Sequence, residues 1–439
     1  MYLGLDIGTT SICAVVLDDA GNIVYTATKA NTFHANNETG ERTQNPEKIY
    51  ELCAEIYRET FARFSVKSVG VSGQMHGILY VDTNGQAASP LYSWQDERGN
   101  LPFENSTYAT VLSARSGYKM ATGFGCTSVF FDATNGNIPK SAVSFCTIGD
   151  YIAMRLSGRK TPLLNETNAA SLGLYDVQNH HWDFSAIARA GISEQLFPEV
   201  SPKVERLGKT ADGAYVFTAI GDNQASVYGA EQSPDSLIVN IGTGSQISVI
   251  TDEYCTPVAG CELRPYFKGR YLALGCALCG GYAYKLLKDF FNSLFDGNET
   301  ITYEVMGKWA ESAFNAHLPT TSPLFRGTRT NPSLRASITG LSENNFNAQT
   351  LTLSVLKGIS KELKDFYDAL TPLTGERTHL VAAGNAIRLN PVLRKIIQED
   401  YGKQLHVPAH KEEAAFGAAL LAAETLEEKD LKSFIRYVK

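Results

Sequence analysis

The chain has 439 residues, 44% of them hydrophobic and 19% charged, with a formal net charge of −7. That length allows two or three domains with sizeable cores, and the acidic balance argues against nucleic-acid or membrane-surface partners, which want a basic face. No apolar run approaches the roughly 18 residues of a membrane span, and no basic or apolar leader opens the sequence, so a cytoplasmic chain with reduced thiols is expected.

In chain order, residues 2–7 read as an apolar strand ending in Asp6. Gly8, Thr9, Thr10 and Ser11 make a tight turn, and residues 12–17 and 23–28 continue an antiparallel meander. Residues 46–64 place Ile49, Cys53, Ile56, Tyr57 and Phe61 at helical spacing. Strands at 66–71 and 78–81 flank the loop Gly73-Gln74-Met75-His76-Gly77. Trp94 and Asp96 fall in a loop-rich stretch, 105–145 is weakly patterned, 148–156 reads as a helix, 165–171 as a polar loop and 182–190 as a helix. An apolar strand then runs into Gly221-Asp222-Asn223-Gln224, with a helix from Ala225. Strand 237–241 leads into Gly242-Thr243-Gly244-Ser245, and 246–250 alternates as a returning strand. Beyond it come a strand at 271–278, a helix opened by Gly280-Gly281, a long helix at 349–370, a strand at 380–383 ending in Gly384-Asn385, a helix at 391–401 and a small-residue helix at 414–423. The pattern is α/β throughout. The turns at Asp6–Ser11 and Asn240–Ser245 share a design, which suggests two similar domains, or else a chance likeness of two short hairpins. Glycosylation sequons at Asn37, Asn105, Asn165 and Asn298 mean little without a secretion signal.

A carboxylate at the mouth of a strand-to-helix turn is held rigidly yet reachable, which suits Asp222 to general-base work; an ordinary helix cap reads the same way in isolation. Glycines flanking a hydroxyl residue let backbone N–H groups converge on an anion, so Gly242 to Gly244 read as a phosphate hairpin. Asp6 could orient water around Mg²⁺, which needs few protein carboxylates, or simply form the turn. Gln74 and His76 can fork to sugar hydroxyls with Met75 as a soft wall, although His76 alone also suits a structural role. Trp94 and Asp96 supply an aromatic platform and an acceptor, the ingredients of a polyol pocket. No turn matches the Walker or GxGxxG pattern, so neither a P-loop enzyme nor an obvious Rossmann dehydrogenase is expected.

Taken in order, Asp6-Ile-Gly-Thr-Thr, Gly73-Gln-Met-His-Gly, Trp94-Gln-Asp, Gly221-Asp-Asn-Gln, Asn240-Ile-Gly-Thr-Gly and Ala383-Gly-Asn resemble the FGGY carbohydrate kinases of the actin-like ATPase superfamily, over essentially the whole chain. Within that family Thr122-Gly-Phe-Gly-Cys, Asn168-Ala-Ala-Ser-Leu-Gly, Gly221–Tyr228 and Gly384–Pro391 look most like the sedoheptulokinases. The resemblance implies two RNase H-like domains flanking a deep cleft, 1–221 for sugar and 222–439 for ATP. It implies Asp222 as general base, and Gln74, Met75, His76, Trp94, Asp96 and Asn223 as sugar contacts. It implies Gly8 to Ser11, Gly242 to Gly244, Gly281, Gly384 and Asn385 as the ATP site, with Mg²⁺ at Asp6 and Asp222. The partners implied are a ketose and ATP; a homodimer stays open. Relatives often carry Lys or Arg at the position of Cys13, so this chain lacks a cation near the phosphates. Competing readings are a pentulose kinase such as xylulokinase, a non-catalytic sugar-binding regulator, and an actin-like nucleotide switch.

Overall fold

A computed structural model describes residues 1–36, 40–258, 260–295, 300–328, 331 and 333–438; the sequons at Asn37 and Asn298 lie outside them. The chain forms two compact units. The first is Met1–Gly229 with Arg264–Gly269 and Glu412–Ile435, and the second is Ala230–Leu263 with Arg270–Lys411 and Arg436–Lys439. Asp222 thus lies inside the first unit, whereas the expected division after Gly221 assigned it to the second domain.

The first unit is built on a seven-stranded sheet. Strands β1 (Tyr2–Ile7), β2 (Ser11–Leu17) and β3 (Ile23–Ala30) form the antiparallel meander, with Ile7 opposite Ile12 closing the first hairpin. β1 and β2 are buried along nearly their whole length, whereas β3 alternates as an edge strand does. β4 (Ser68–Gly73) pairs parallel to β1, and β5 (Arg206–Lys209), β6 (Tyr215–Phe217) and β7 (Ile220–Gly221) complete the sheet on that side. The crossover from β3 to β4 is α1 (Pro46–Phe61), capped by Asn45 and starting with proline at its first turn. The weakly patterned stretch holds α2 (Tyr108–Ser116) and α3 (Gly125–Asn135), followed by α4 (Ile148–Leu156). The expected polar loop at 165–171 is instead a helix, α5 (Glu166–Leu172), with Asn165 as its cap. Its polar residues look loop-like only because they face buried hydrogen-bond partners. α6 (Asp222–Ala230) starts directly after β7, at Asp222 rather than at Ala225.

The second unit repeats the topology. β8 (Ser236–Ile241), β9 (Ser245–Thr251) and β11 (Arg270–Ala277) form the antiparallel set, with β10 (Cys261–Tyr266) beyond β11. β12 (His379–Ala383) pairs parallel to β8, followed by β13 (Leu405–Pro408) and β14 (Tyr437–Val438). β8 and β12 correspond to β1 and β4, so the echo between the two glycine turns is an echo of topology. The helices include α7 (Gly281–Ser293), α8 (Ala348–Thr374), α9 (Asn385–Leu389) and α10 (Pro391–Tyr401), and Tyr303–Ser312 is helical as well. Among the described residues, no helix is long and apolar enough to cross a membrane.

After α10 the chain returns to the first unit as α11 (Glu413–Glu427). Its small residues allow backbone-to-backbone packing: a Cβ added at Gly4 would lie 1.9 Å from the Ala415 carbonyl oxygen, and one at Gly70 would lie 2.0 Å from that of Ala418. The helix therefore lies directly on β1 and β4, the two strands whose ends carry Asp6 and Gly73.

Candidate active site

The first unit gathers most of the chemistry at the ends of β1, β4 and β7. Asp6, on the last turn of β1, accepts a hydrogen bond from Ser72 Oγ at 2.7 Å. Burial raises its carboxyl above the usual range, and the Glu412 carboxylate adds to the rise. Asp222 opens α6. Desolvation pushes its carboxyl up to about 7, helped by the negative charge of Asp6 and opposed by the Asn223 amide and Arg264. Asp222 as a residue is partly exposed, while its carboxyl group is deeply enclosed. A carboxyl poised near neutrality at a partly open position matches what a general base requires. Gly221 has an ordinary negative φ, so it is not there for an unusual turn. It serves close approach: a Cβ would lie 2.8 Å from Met75 Sδ and 2.7 Å from Gln224 Oε1.

The sugar-contact candidates divide into two groups. Met75, His76 and Asn223 adjoin this centre. Met75 lies beside Gly221 and 3.9 Å from Arg264 Nη1. His76 has a φ of 73°, rare for a side-chain-bearing residue. Its Nδ1 meets the Ser171 carbonyl at 2.7 Å and its ring stacks on Phe124 at 4.8 Å, which fixes the tautomer and plane. The Asn223 Oδ1 and Gln224 Oε1 oxygens are buried and accept no hydrogen bond from the protein. Gln74 and Asp96, by contrast, are used within the fold. Gln74 donates to Gln44 Oε1 at 2.7 Å and accepts from Thr9 Oγ1 at 3.3 Å. Asp96 is fully buried against Arg98 Nε at 2.7 Å and the Arg42 amide at 3.0 Å. Trp94 is 47% exposed and donates from Nε1 to Thr9 Oγ1 at 2.9 Å. Thr9 thus ties the first glycine turn to both Gln74 and Trp94. Gly8 closes that turn on the Ser11 carbonyl at 2.9 Å, and Thr10 stays exposed at its tip. Cys13, paired with Asp6 across β1 and β2, packs 3.6 Å from Thr28 Oγ1. Burial pushes its thiol up to about 11, so it stays neutral and supplies no charge of either sign.

The second unit carries the other glycine turn. Gly242 bonds back to the Gly244 carbonyl at 3.0 Å, and the Gly242 and Thr243 carbonyls accept from Gly281 at 2.8 Å and Gly280 at 2.9 Å. The hairpin is thereby fixed to the start of α7. Gly384, at φ 91°, leaves no room for a side chain, since a Cβ would lie 2.5 Å from the Ile241 carbonyl oxygen. Gly242, Thr243, Gly281 and Asn385 line a cavity of about 920 Å³, walled further by Tyr284 and Lys308. A cavity of that size accommodates a nucleotide-sized ligand.

Family models for the FGGY family of carbohydrate kinases match residues 1–231 as the N-terminal domain and 237–426 as the C-terminal domain. The chain belongs to the FGGY family of carbohydrate kinases. It is 29% identical over 469 residues to the sedoheptulokinase of Mus musculus, covering 95% of this chain and 96% of that one, and 26% identical to the Homo sapiens sedoheptulokinase with the same coverage. It is also 25% identical to a xylulose kinase of Staphylococcus epidermidis, over 96% of this chain and 87% of that one. Among solved structures, gluconate kinase from Lactobacillus acidophilus superposes with a TM-score of 0.85 at 20% identity, covering 100% of this chain and 92% of that one.

As an FGGY kinase the chain is a phosphotransferase with an alcohol acceptor, built on the actin-like ATPase fold. Several residues of the candidate site carry no sequence signature. Arg264, beside Met75, comes from a strand with no motif around it. Tyr284 and Lys308 line the second-unit cavity from helices whose polar faces look like any solvated surface. Thr167 donates to Asn165 Oδ1 at 2.8 Å and accepts from the Gly221 amide at 3.1 Å, inside the stretch that reads as a loop.

Proposed function

We propose that this kinase transfers the γ-phosphoryl group of ATP to the terminal hydroxyl of a ketose, with sedoheptulose as the preferred acceptor and sedoheptulose 7-phosphate as the product. The observation that carries the reading is Asp222, partly accessible with its carboxyl raised to about 7, next to two buried amide oxygens without protein partners. Asp222 takes the proton of the attacking hydroxyl, and Asn223 and Gln224 accept from neighbouring hydroxyls. Met75 and His76 wall the sugar, with His76 held in one plane by Phe124. Gly242 to Gly244 and the 920 Å³ cavity are the places for the phosphates and nucleoside of ATP.

The centre also fits a divalent cation. Asp6 raises Asp222, Glu412 raises Asp6, and a positive ion would relieve both. Magnesium keeps most of its waters and needs few protein carboxylates. Asp6 and Asp222 would hold Mg²⁺, which when bound offsets charge on phosphate oxygens.

Sedoheptulose is favoured by the sedoheptulokinase relatives, which match over nearly their whole length. The unpartnered amide oxygens favour a polyhydroxylated acceptor, and the preference for the longer chain rests on the relatives. The xylulose kinase relative supports a pentulose as the second reading. The test is kcat/KM for sedoheptulose and D-xylulose side by side with ATP. The reading predicts at least about tenfold preference for sedoheptulose. A ratio at or below one moves the assignment to a pentulose kinase.

A further inference from the structure

Two peptide units just upstream of Asp222, Ala219–Ile220 and Ile220–Gly221, are held by consecutive residues of α5. Thr167 Oγ1 accepts from the Gly221 amide at 3.1 Å and donates to Asn165 Oδ1 at 2.8 Å, so its single proton has a fixed direction. Asn168 Nδ2 donates to the Ala219 carbonyl at 3.3 Å and to Asp150 Oδ1 at 3.0 Å. The Ala219 carbonyl can only accept, so the Asn168 amide has one allowed orientation. Asp150 is in turn fixed by Thr147, whose Oγ1 donates to Asp150 Oδ2 at 2.6 Å within the capping box of α4. Asn165, Thr167, Asn168 and Asp150 are each at most 2% exposed. A buried network with defined donors and acceptors is rigid, and it holds backbone rather than touching the reacting atoms.

We infer that Thr167 and Asn168 are positioning residues for the phosphoryl-transfer step: they clamp the Ala219 carbonyl and the Gly221 amide, and so fix the direction in which the Asp222 carboxylate emerges from β7. Packing alone does not explain the arrangement, because a valine at 167 and a leucine at 168 would fill the same space. The hydroxyl and amide are there for the two backbone groups they engage. Misdirecting a base by a fraction of an ångström slows proton transfer far more than it weakens binding of the sugar, which is held by several other groups.

The inference rests on Asp222 as the base, so Asp222→Asn is measured alongside. Thr167→Val keeps the volume and removes the hydroxyl, and Thr167→Ser does the opposite. With ATP·Mg and either sedoheptulose or D-xylulose, whichever the wild type turns over faster, Thr167→Val is expected to lose roughly 10- to 100-fold in kcat. Its calorimetric Kd for that sugar stays within about threefold, and the acid limb of its kcat–pH profile is displaced. Thr167→Ser is expected to keep kcat within about threefold and the wild-type limb. Asn168→Asp, which replaces the donor with a carboxylate oxygen against the Ala219 carbonyl, is expected to follow the valine variant. Wild-type kcat in Thr167→Val, or equal losses in the serine and valine variants, overturns the positioning role. Full turnover in Asp222→Asn overturns the reading beneath it instead, so the two failures are distinguishable.

Discussion

At the scale of single residues, Asp222 is destabilising where it is useful. A carboxyl with a folded pKa of about 7 and an ordinary value of 3.8 binds its proton more tightly in the folded chain than in the unfolded one. Between about pH 4 and pH 7 its contribution to stability therefore falls as pH rises, and above pH 7 the loss is complete. Asp150, also raised to about 7 by burial, acts in the same direction. Asp222→Asn should raise Tm at pH 8 by a few degrees and by clearly less at pH 5, at about 2–4 °C per kcal/mol for domains of this size. Thermal unfolding at the two pH values checks this, and an equal shift at both would mean that the charge carries no such cost. The sequence marks Asp222 through its place after an apolar strand and a glycine. It does not mark Arg264 or Thr167, because what matters for them is which backbone or carboxylate they meet, and that is a matter of tertiary contact.

At the scale of elements, the glycine turns show why short motifs carry so much of the site. The hairpin between β8 and β9 is held from two sides, by the start of α7 and by the backbone at Gly384. Gly384→Ala would combine a strained positive φ with a Cβ 2.5 Å from the Ile241 carbonyl oxygen. The expected outcome is a folded protein whose affinity for ATP·Mg drops tenfold or more, with sugar affinity unchanged because the sugar residues lie on the first unit. Calorimetric titration with each ligand decides it, and an unchanged ATP affinity would contradict the role given to this turn. These glycines are legible in sequence because their spacing after β-branched strands is itself the signal. The segment 165–171 is not, because its Asn and Thr residues suit a loop until their buried partners are known. The close packing of α11 is legible from its alanines, but not the strands it covers, since the chain leaves the first unit for most of 230–411 before coming back.

At the scale of the whole molecule, the topology repeated in the two units divides the work. The first unit carries Asp6, Asp222 and the residues proposed to face the sugar, and the second carries the hairpin and the nucleotide-sized cavity. The seven-stranded sheet of each unit joins its first two strands by a glycine turn, so one local hairpin design is used twice. Cys13, whose thiol stays neutral, adds no charge beside the first turn. What all of this converges on is proton removal by Asp222 during sugar phosphorylation. The most direct measurement is kcat for sedoheptulose as a function of pH at saturating ATP·Mg, in the wild type and in Asp222→Asn. The wild type should show an acid limb with a midpoint between about pH 5 and about pH 7, because bound Mg²⁺ would draw the Asp222 carboxyl down from its raised value of about 7, and the variant should lose roughly 10²- to 10⁴-fold in kcat together with that limb. A variant that keeps wild-type turnover, or a wild-type profile flat from pH 5 to 9, would contradict Asp222 as the base.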